Sequence, residues 1–254
     1  MGELIHNSHV ISELKKCGIK TLNELPQKGE GICVIRSHGE SADVFEKIKN
    51  IGYELVDLTC LDVKKVQSKA SYLAKQDYFL IILGKPEHPE VKAIETNAKM
   101  EAKNPENIFV ASSVDDLRKI ELKIKSAKKV GVVLQTTQTK EYLFDVIDYL
   151  SSKCKVLHIE NTICPSTSLR QQEAKALAQN SDLMVVVGSK KSANTTHLAE
   201  LIADITKTIH IEDVEELNLY SDLIKNSQNI GVTAGASTPD NIINEVINKL
   251  ERTV

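Results

Sequence analysis

The sequence predicts an α/β protein built on parallel sheets. Two observations predict it. Short apolar runs alternate with amphipathic stretches along the whole chain. The central runs are apolar on consecutive residues, as in strands covered on both faces. Strands are expected at 32–35, 53–58, 78–83, 108–110, 130–134, 155–159, 183–187, 208–211 and 229–232. Helical periodicity is expected near 9–17, 41–50, 61–76, 90–98, 114–120, 140–151, 166–179, 192–205 and 239–250. No low-complexity or Pro/Gly-rich linker separates the elements, so the units should pack closely.

With 254 residues the chain can form one large domain or two to three small ones. At 41% hydrophobic and 26% charged it has the balance of a soluble globular protein. The net charge of -3 gives no electrostatic support to a nucleic-acid or acidic-membrane partner. No apolar run approaches the roughly 18 residues of a membrane span. Met1 to His6 has neither the basic flank nor the apolar core of a secretory signal. Five cysteines, an odd count without a CxxC pair, argue against a disulfide framework and a compact zinc site.

Two cysteines stand out by position. Cys60, in Asp57-Leu58-Thr59-Cys60-Leu61, comes after a strand and opens a long helical pattern. Cys164 does the same before the helix beginning near Ser166. A thiolate at such a point lies among free backbone N–H groups at the positive end of a helix dipole, which suits a nucleophile or a metal ligand. The competing reading is a small residue packed at a strand end. An α/β unit that ends each time in a cysteine gives three segments: 1–60, 61–163 and 164–254.

In open α/β sheets ligands bind beyond the carboxyl ends of the strands. The loops at those ends are small, polar and often Gly-bearing: Arg36-Ser37-His38-Gly39, Gly84-Lys85-Pro86-Glu87-His88-Pro89-Glu90, Gln135-Thr136-Thr137, Gly188-Ser189-Lys190-Lys191-Ser192-Ala193-Asn194 and Thr233-Ala234-Gly235-Ala236-Ser237. Ser192, Asn194 and Ser237 precede or open helices, where they can cap the helix or bind an anion. Pro239 suits the first helical position. His6, His38 and His88 share this loop context and suit a phosphorylated ligand; His9, His158, His197 and His210 do not share it. Glu90 either complements a helix dipole or donates a proton to a ligand held by His88. Dinucleotide, P-loop and hydrolase-elbow motifs are absent.

Taken together and in order, Leu4-Ile5-His6-Asn7, Arg36-Ser37-His38-Gly39, Asp57-Leu58-Thr59-Cys60, His88-Pro89-Glu90-Val91, Gln135-Thr136-Thr137, Cys164 with Arg170-Gln171, Val187-Gly188-Ser189-Lys190, Ser192-Ala193-Asn194 and Thr233-Ala234-Gly235-Ala236-Ser237 resemble the 4-hydroxy-3-methylbut-2-enyl diphosphate reductase (LytB/IspH) family over nearly the whole chain. The resemblance implies a trefoil of three small α/β units with parallel sheets around a central cavity. It implies a 4Fe-4S cluster held by three cysteines, two of them Cys60 and Cys164. It implies a diphosphate-binding set of His6, His38, His88, Ser192, Asn194 and Ser237, with Glu90 as catalytic acid and Thr136 hydrogen-bonding near the substrate alcohol. The implied reaction is reductive dehydroxylation to isopentenyl and dimethylallyl diphosphate in the methylerythritol phosphate route to isoprenoids. An electron donor such as ferredoxin or flavodoxin serves it, in the cytoplasm or a plastid-type organelle. No nucleic acid or membrane partner is implied.

The chain departs from the family at two places. The family's first strand and helix, with the first cluster cysteine in a Gly-Phe-Cys-Gly-Val-like stretch, have no counterpart among these residues. An incomplete start to an active reductase and a truncated, catalytically inactive diphosphate-binding remnant both fit. A third reading, an enzyme whose third ligand is replaced, has less support, since none of Cys17, Cys33 and Cys154 stands at a strand end in the first unit's place. At Ala193 a hydroxyl is usual in the family, so a phosphate hydrogen bond of about 1 kcal/mol is lost there.

Overall fold

The computed structural model describes residues 2–253. The first elements are α1 (Ser8–Lys16), β1 (Ile32–Ile35), α2 (Ala42–Asn50), β2 (Glu54–Asp57), α3 (Leu61–Lys75), β3 (Phe79–Leu83) and α4 (Pro89–Glu101). Then come β4 (Ile108–Ala111), α5 (Val114–Lys119), α6 (Glu121–Ser126), β5 (Val130–Leu134), α7 (Lys140–Ser151) and β6 (Leu157–Glu160). The last are α8 (Pro165–Ala178), β7 (Leu183–Val187), α9 (Ala193–Ala203), β8 (Lys207–Ile211), α10 (Ser221–Lys225), β9 (Ile230–Ala234) and α11 (Asp240–Glu251). Short 3₁₀ turns at Pro105–Asn107 and Glu215–Tyr220 complete them. Every strand pair is parallel, as the continuous apolar runs predict.

The contacts divide the chain into two compact units. The first holds residues 2–4 and 21–164, the second residues 5–20 and 165–253. The first unit carries a two-stranded sheet, β1-β2, and a four-stranded sheet in the order β4-β3-β5-β6. In the larger sheet β3 and β5 are buried along their whole length. Phe79, Ile81 and Leu83 pair in register with Val130, Val132 and Leu134, and this face packs on Leu143, Val146 and Leu150 of α7. Leu80 and Ile82 point the other way, onto Val66, Ala70 and Leu73 of α3 and Val91, Ile94 and Ala98 of α4. Spacing puts the helices there: apolar residues three and four apart form one stripe per helix. In the two-stranded sheet Cys33 and Ile35 face Ile48 of α2.

The second unit has a three-stranded sheet in the order β8-β7-β9. Leu183, Val185 and Val187 of β7 face Ile242, Val246 and Leu250 of α11. Met184 and Val186 face Ala174 and Ala178 of α8 and Leu198 and Ile202 of α9. In both units the chain leaves a central strand to one side and returns on the other. The order reverses between β3 and β5 and again between β7 and β9. At such a reversal the loops after the two strands diverge and leave a crevice at the strands' carboxyl ends.

Candidate active site

The crevice beyond β3 and β5 holds Glu90 and Thr136. Pro89 opens α4 with its φ already suited to a helix, and Glu90 comes next in the first turn. The Glu90 side chain is 2% exposed. Its two carboxylate oxygens take different partners: Oε1 accepts the Thr136 backbone N–H at 2.7 Å, and Oε2 lies 2.9 Å from Thr136 Oγ1. No cation pairs with the carboxylate among its bonds, so burial raises its pKa to about 7 despite the two bonds from Thr136. The helix dipole alone does not account for a carboxyl so deeply buried.

Neighbouring groups are tied to this pair. His88 is the N-cap of α4, and its Nδ1 accepts the Glu90 N–H at 3.2 Å. A neutral ring that accepts at Nδ1 carries its proton on Nε2, as a donor. The His38 ring lies edge-on to it, centroids 5.2 Å apart. Gln135 is fully buried; its Oε1 accepts the Lys85 N–H at 3.2 Å and its Nε2 has no protein partner. Gly84 leaves the room this needs, since a Cβ there would stand 2.9 Å from Gln135 Oε1.

Both singled-out cysteines belong to this unit. Cys60 is the N-cap of α3, exposed, and its side chain caps no N–H group. Its own N–H is held by the Ser37 carbonyl at 3.0 Å, which joins the Cys60 turn to the His38 loop. Asp57 accepts from the Thr59 N–H at 2.9 Å and pairs with Lys64 at 2.5 Å, bracing the turn from below. The Cys164 N–H donates to the Thr136 carbonyl at 2.9 Å. One residue, Thr136, therefore bonds Glu90 through its amide and hydroxyl and Cys164 through its carbonyl. Two residues before Cys164, Thr162 does what a strand backbone would do. Its hydroxyl accepts the Leu134 N–H at 2.8 Å and donates to the Leu134 carbonyl at 2.6 Å. Thr162 was not legible in the sequence, for nothing there distinguishes a buried threonine that pairs with backbone from one that packs. All five cysteines are free thiols. Cys33 is buried in the small sheet and Cys154 packs on the core, while Cys17 is the exposed C-cap of α1.

In the second unit the polar loops after β7 and β9 meet. Gly235 N–H and Thr238 Oγ1 both bond the Val187 carbonyl, at 2.9 and 3.0 Å. Ser192 is the N-cap of α9 through a long 3.5 Å bond from the Thr195 N–H. Asn194 lies inside the first turn and caps nothing. Its Oδ1 takes a 3.4 Å bond from Thr167 Oγ1, and its Nδ2 is buried without a protein partner. Ser237 Oγ is also buried without one. Pro239 is the N-cap of α11, one position before the first helical residue expected for it. Of the three capping candidates, then, only Ser192 caps. His6 belongs to this unit too, immediately before Asn7, which bonds the Ser237 carbonyl at 2.9 Å.

Parallel sheets with strand-order reversals, each with polar groups gathered in the loops beyond the strands' carboxyl ends, define a protein of the α/β enzyme class. The profile of the LytB protein family matches residues 1–251, and the chain belongs to that family. It is 38% identical over 252 residues to the 4-hydroxy-3-methylbut-2-enyl diphosphate reductase of Geobacter sulfurreducens, covering 99% of this chain and 85% of the relative. With the enzyme of the same name from Trichlorobacter lovleyi the identity is 36% over 253 residues, covering 99% and 86%. Among solved structures, the E-1-hydroxy-2-methyl-but-2-enyl-4-diphosphate reductase of Plasmodium falciparum superposes with a TM-score of 0.86 at 27% identity, covering 98% of this chain and 76% of that one. A second, (E)-4-hydroxy-3-methyl-but-2-enyl diphosphate reductase, described as the terminal enzyme of the non-mevalonate pathway, gives 0.68 at 32% identity, covering 99% and 87%. Among the described residues no helix is long and apolar enough to cross a membrane.

Proposed function

We propose that the chain reduces 4-hydroxy-3-methylbut-2-enyl diphosphate to isopentenyl and dimethylallyl diphosphate. The observation that carries the reading is the Glu90–Thr136 pair, buried and tied to the Cys164 backbone. The reaction breaks one C–O bond and forms one C–H bond. Two electrons and two protons enter, and water leaves. A proton must therefore reach the departing hydroxyl in a site from which bulk water is excluded.

The hydrogen bonds suit that task. Backbone N–H can only donate, so Oε1 of Glu90 is locked as an acceptor and the carboxyl proton belongs on Oε2. Oε2–H then donates to Thr136 Oγ1, which frees the Thr136 hydroxyl hydrogen for the substrate oxygen. Once Glu90 has given up its proton, the same bond reverses. With its pKa near 7 the carboxyl is both a proton source and a proton sink at neutral pH. The diphosphate would be bound by histidine N–H, hydroxyl and amide groups. The residues proposed for this role are His6, His38, His88, Ser192, Asn194 and Ser237. The buried Asn194 Nδ2 and Ser237 Oγ, which have no protein partner, support this reading.

Cys60 and Cys164 fit an iron–sulfur cluster by their chemistry: free thiols at strand ends of one unit, the Cys60 side chain making no capping bond. They would be two of its ligands. When bound, such a cluster supplies electrons and a Lewis-acidic iron; a small reductant protein such as ferredoxin or flavodoxin would supply it in turn. Anaerobic reconstitution, followed by turnover with a chemical reductant, tests the reading. The expected products are the two isomeric diphosphates, with most turnover lost in Glu90→Gln while iron content stays the same. Unchanged turnover in Glu90→Gln removes that residue from the mechanism. A second reading, diphosphate binding without reduction, is favoured by the cysteines, only two of which stand at strand ends. It requires fewer than four irons per chain and no product; four irons with turnover would sink it.

A further inference from the structure

We infer that Asn7 is a positioning residue, a single buried amide that sets the Ser237 loop against the start of α1 beside His6. The inference rests on the reading that Ser237 binds diphosphate. Asn7 is 4% exposed, and each of its side-chain polar atoms has a defined partner. Oδ1 accepts the backbone N–H groups of His9 and Val10, both at 3.1 Å, which makes Asn7 the N-cap of α1. Nδ2 donates to the Ser237 carbonyl at 2.9 Å, across 230 positions of sequence. Two N–H donors on one atom and a carbonyl on the other fix which end is oxygen.

The residue type is decisive. An N-cap needs only an acceptor, and Asp, Ser or Thr serves as well as Asn. An acceptor and a donor on two separate atoms, able to serve the helix and the loop at once, is what Asn alone of these offers, and Ser237 uses the donor. Around Ser237 the flanks are already tied to β7: Gly235 and Thr238 both bond the Val187 carbonyl. Asn7 holds the peptide of Ser237 itself. Ser237 Oγ is buried and has no protein partner; the backbone that Asn7 holds places its Cβ and so the reach of the hydroxyl. The helix cap and the loop tie share one side chain; the group that starts α1 also orients a ligand-facing hydroxyl.

The test uses the 254-residue chain and inorganic pyrophosphate, titrated by calorimetry, with urea denaturation run in parallel. Asn7→Asp keeps the cap acceptor and loses the donor. Asn7→Ser keeps a cap acceptor without adding charge, but its single short hydroxyl, engaged at the cap, does not span to the Ser237 carbonyl; it decides the matter if the Asp variant does not fold. Both should remain folded, with the unfolding midpoint lowered only by the one lost bond, and bind pyrophosphate about fivefold more weakly. In a Ser237→Ala background, Asn7→Ser should add almost nothing, because it acts through Ser237. Wild-type affinity in Asn7→Ser, or a full additional loss in the Ser237→Ala background, overturns the inference alone. A wild-type chain that does not bind pyrophosphate overturns the diphosphate reading and the inference with it.

Discussion

Glu90 couples the proposed chemistry to a measurable property of folding. An ordinary glutamate titrates near 4.5; burial moves this one to about 7. Below pH 4.5 the group is protonated whether the chain is folded or unfolded, and its neutral form is the one the buried site prefers. Between 4.5 and 7 the unfolded chain releases the proton and the folded chain keeps it, so stability falls as pH rises. Above 7 both forms are ionised and the loss is complete. A displacement of that size corresponds to about 3 kcal/mol. Glu90→Gln cannot titrate. Urea denaturation of wild type and Glu90→Gln from about pH 4.5 to 8, recorded by circular dichroism, should show wild-type stability dropping relative to the variant by about 3 kcal/mol across this window. Infrared difference spectra give a second readout: a protonated-carboxyl band, missing from Glu90→Gln, that disappears with a midpoint near 7. Parallel stability curves, or a band that titrates at the ordinary glutamate value, would refute the burial argument and leave the proton relay without its source.

Two further predictions concern the supports of the site. At Gly235 a Cβ would lie 1.9 Å from Thr195 Oγ1 and 3.0 Å from Thr195 Cβ. Gly235→Ala should therefore destabilise by roughly 2 kcal/mol, with most of that recovered in the double variant with Thr195→Ala; urea midpoints of the four proteins check it. Thr162→Val removes both bonds to Leu134 and strands a buried N–H and a buried carbonyl. The expected cost is about 2–4 kcal/mol, with Thr162→Ser close to wild type in the same assay.

How much of the fold and site was legible in the sequence depends on the range of each interaction. The strands were legible because β3, β5 and β7 are buried on both faces and so consist of unbroken apolar runs. The longer helices were legible from their stripes. Two short ones, Glu121–Ser126 and Ser221–Lys225, were not, because a helix of five or six residues does not complete enough turns to show a period. Cys60, Glu90, Thr136 and Cys164 were legible as residues placed just beyond strand ends. That rule locates each loop and says nothing of which loops meet. The meeting of Glu90 with Thr136 comes from the β4-β3-β5-β6 order, which puts the strands before those two residues side by side. Strand order is a long-range outcome that no local pattern encodes.

Asn7 marks the same boundary within one side chain. Its cap is local and could be read from an Asn placed before an amphipathic stretch. Its bond to Ser237 exists only because α1 and the loop after β9 are brought together in the folded unit. The substitutions separate the two parts. Asp and Ser satisfy every requirement the local sequence imposes and fail the one imposed by the fold. A pyrophosphate affinity that falls in the folded Asn7→Ser variant, and falls no further in the Ser237→Ala background, would therefore measure the long-range part alone. It would show that the choice of Asn over the other capping residues is made by the ligand site and not by the helix.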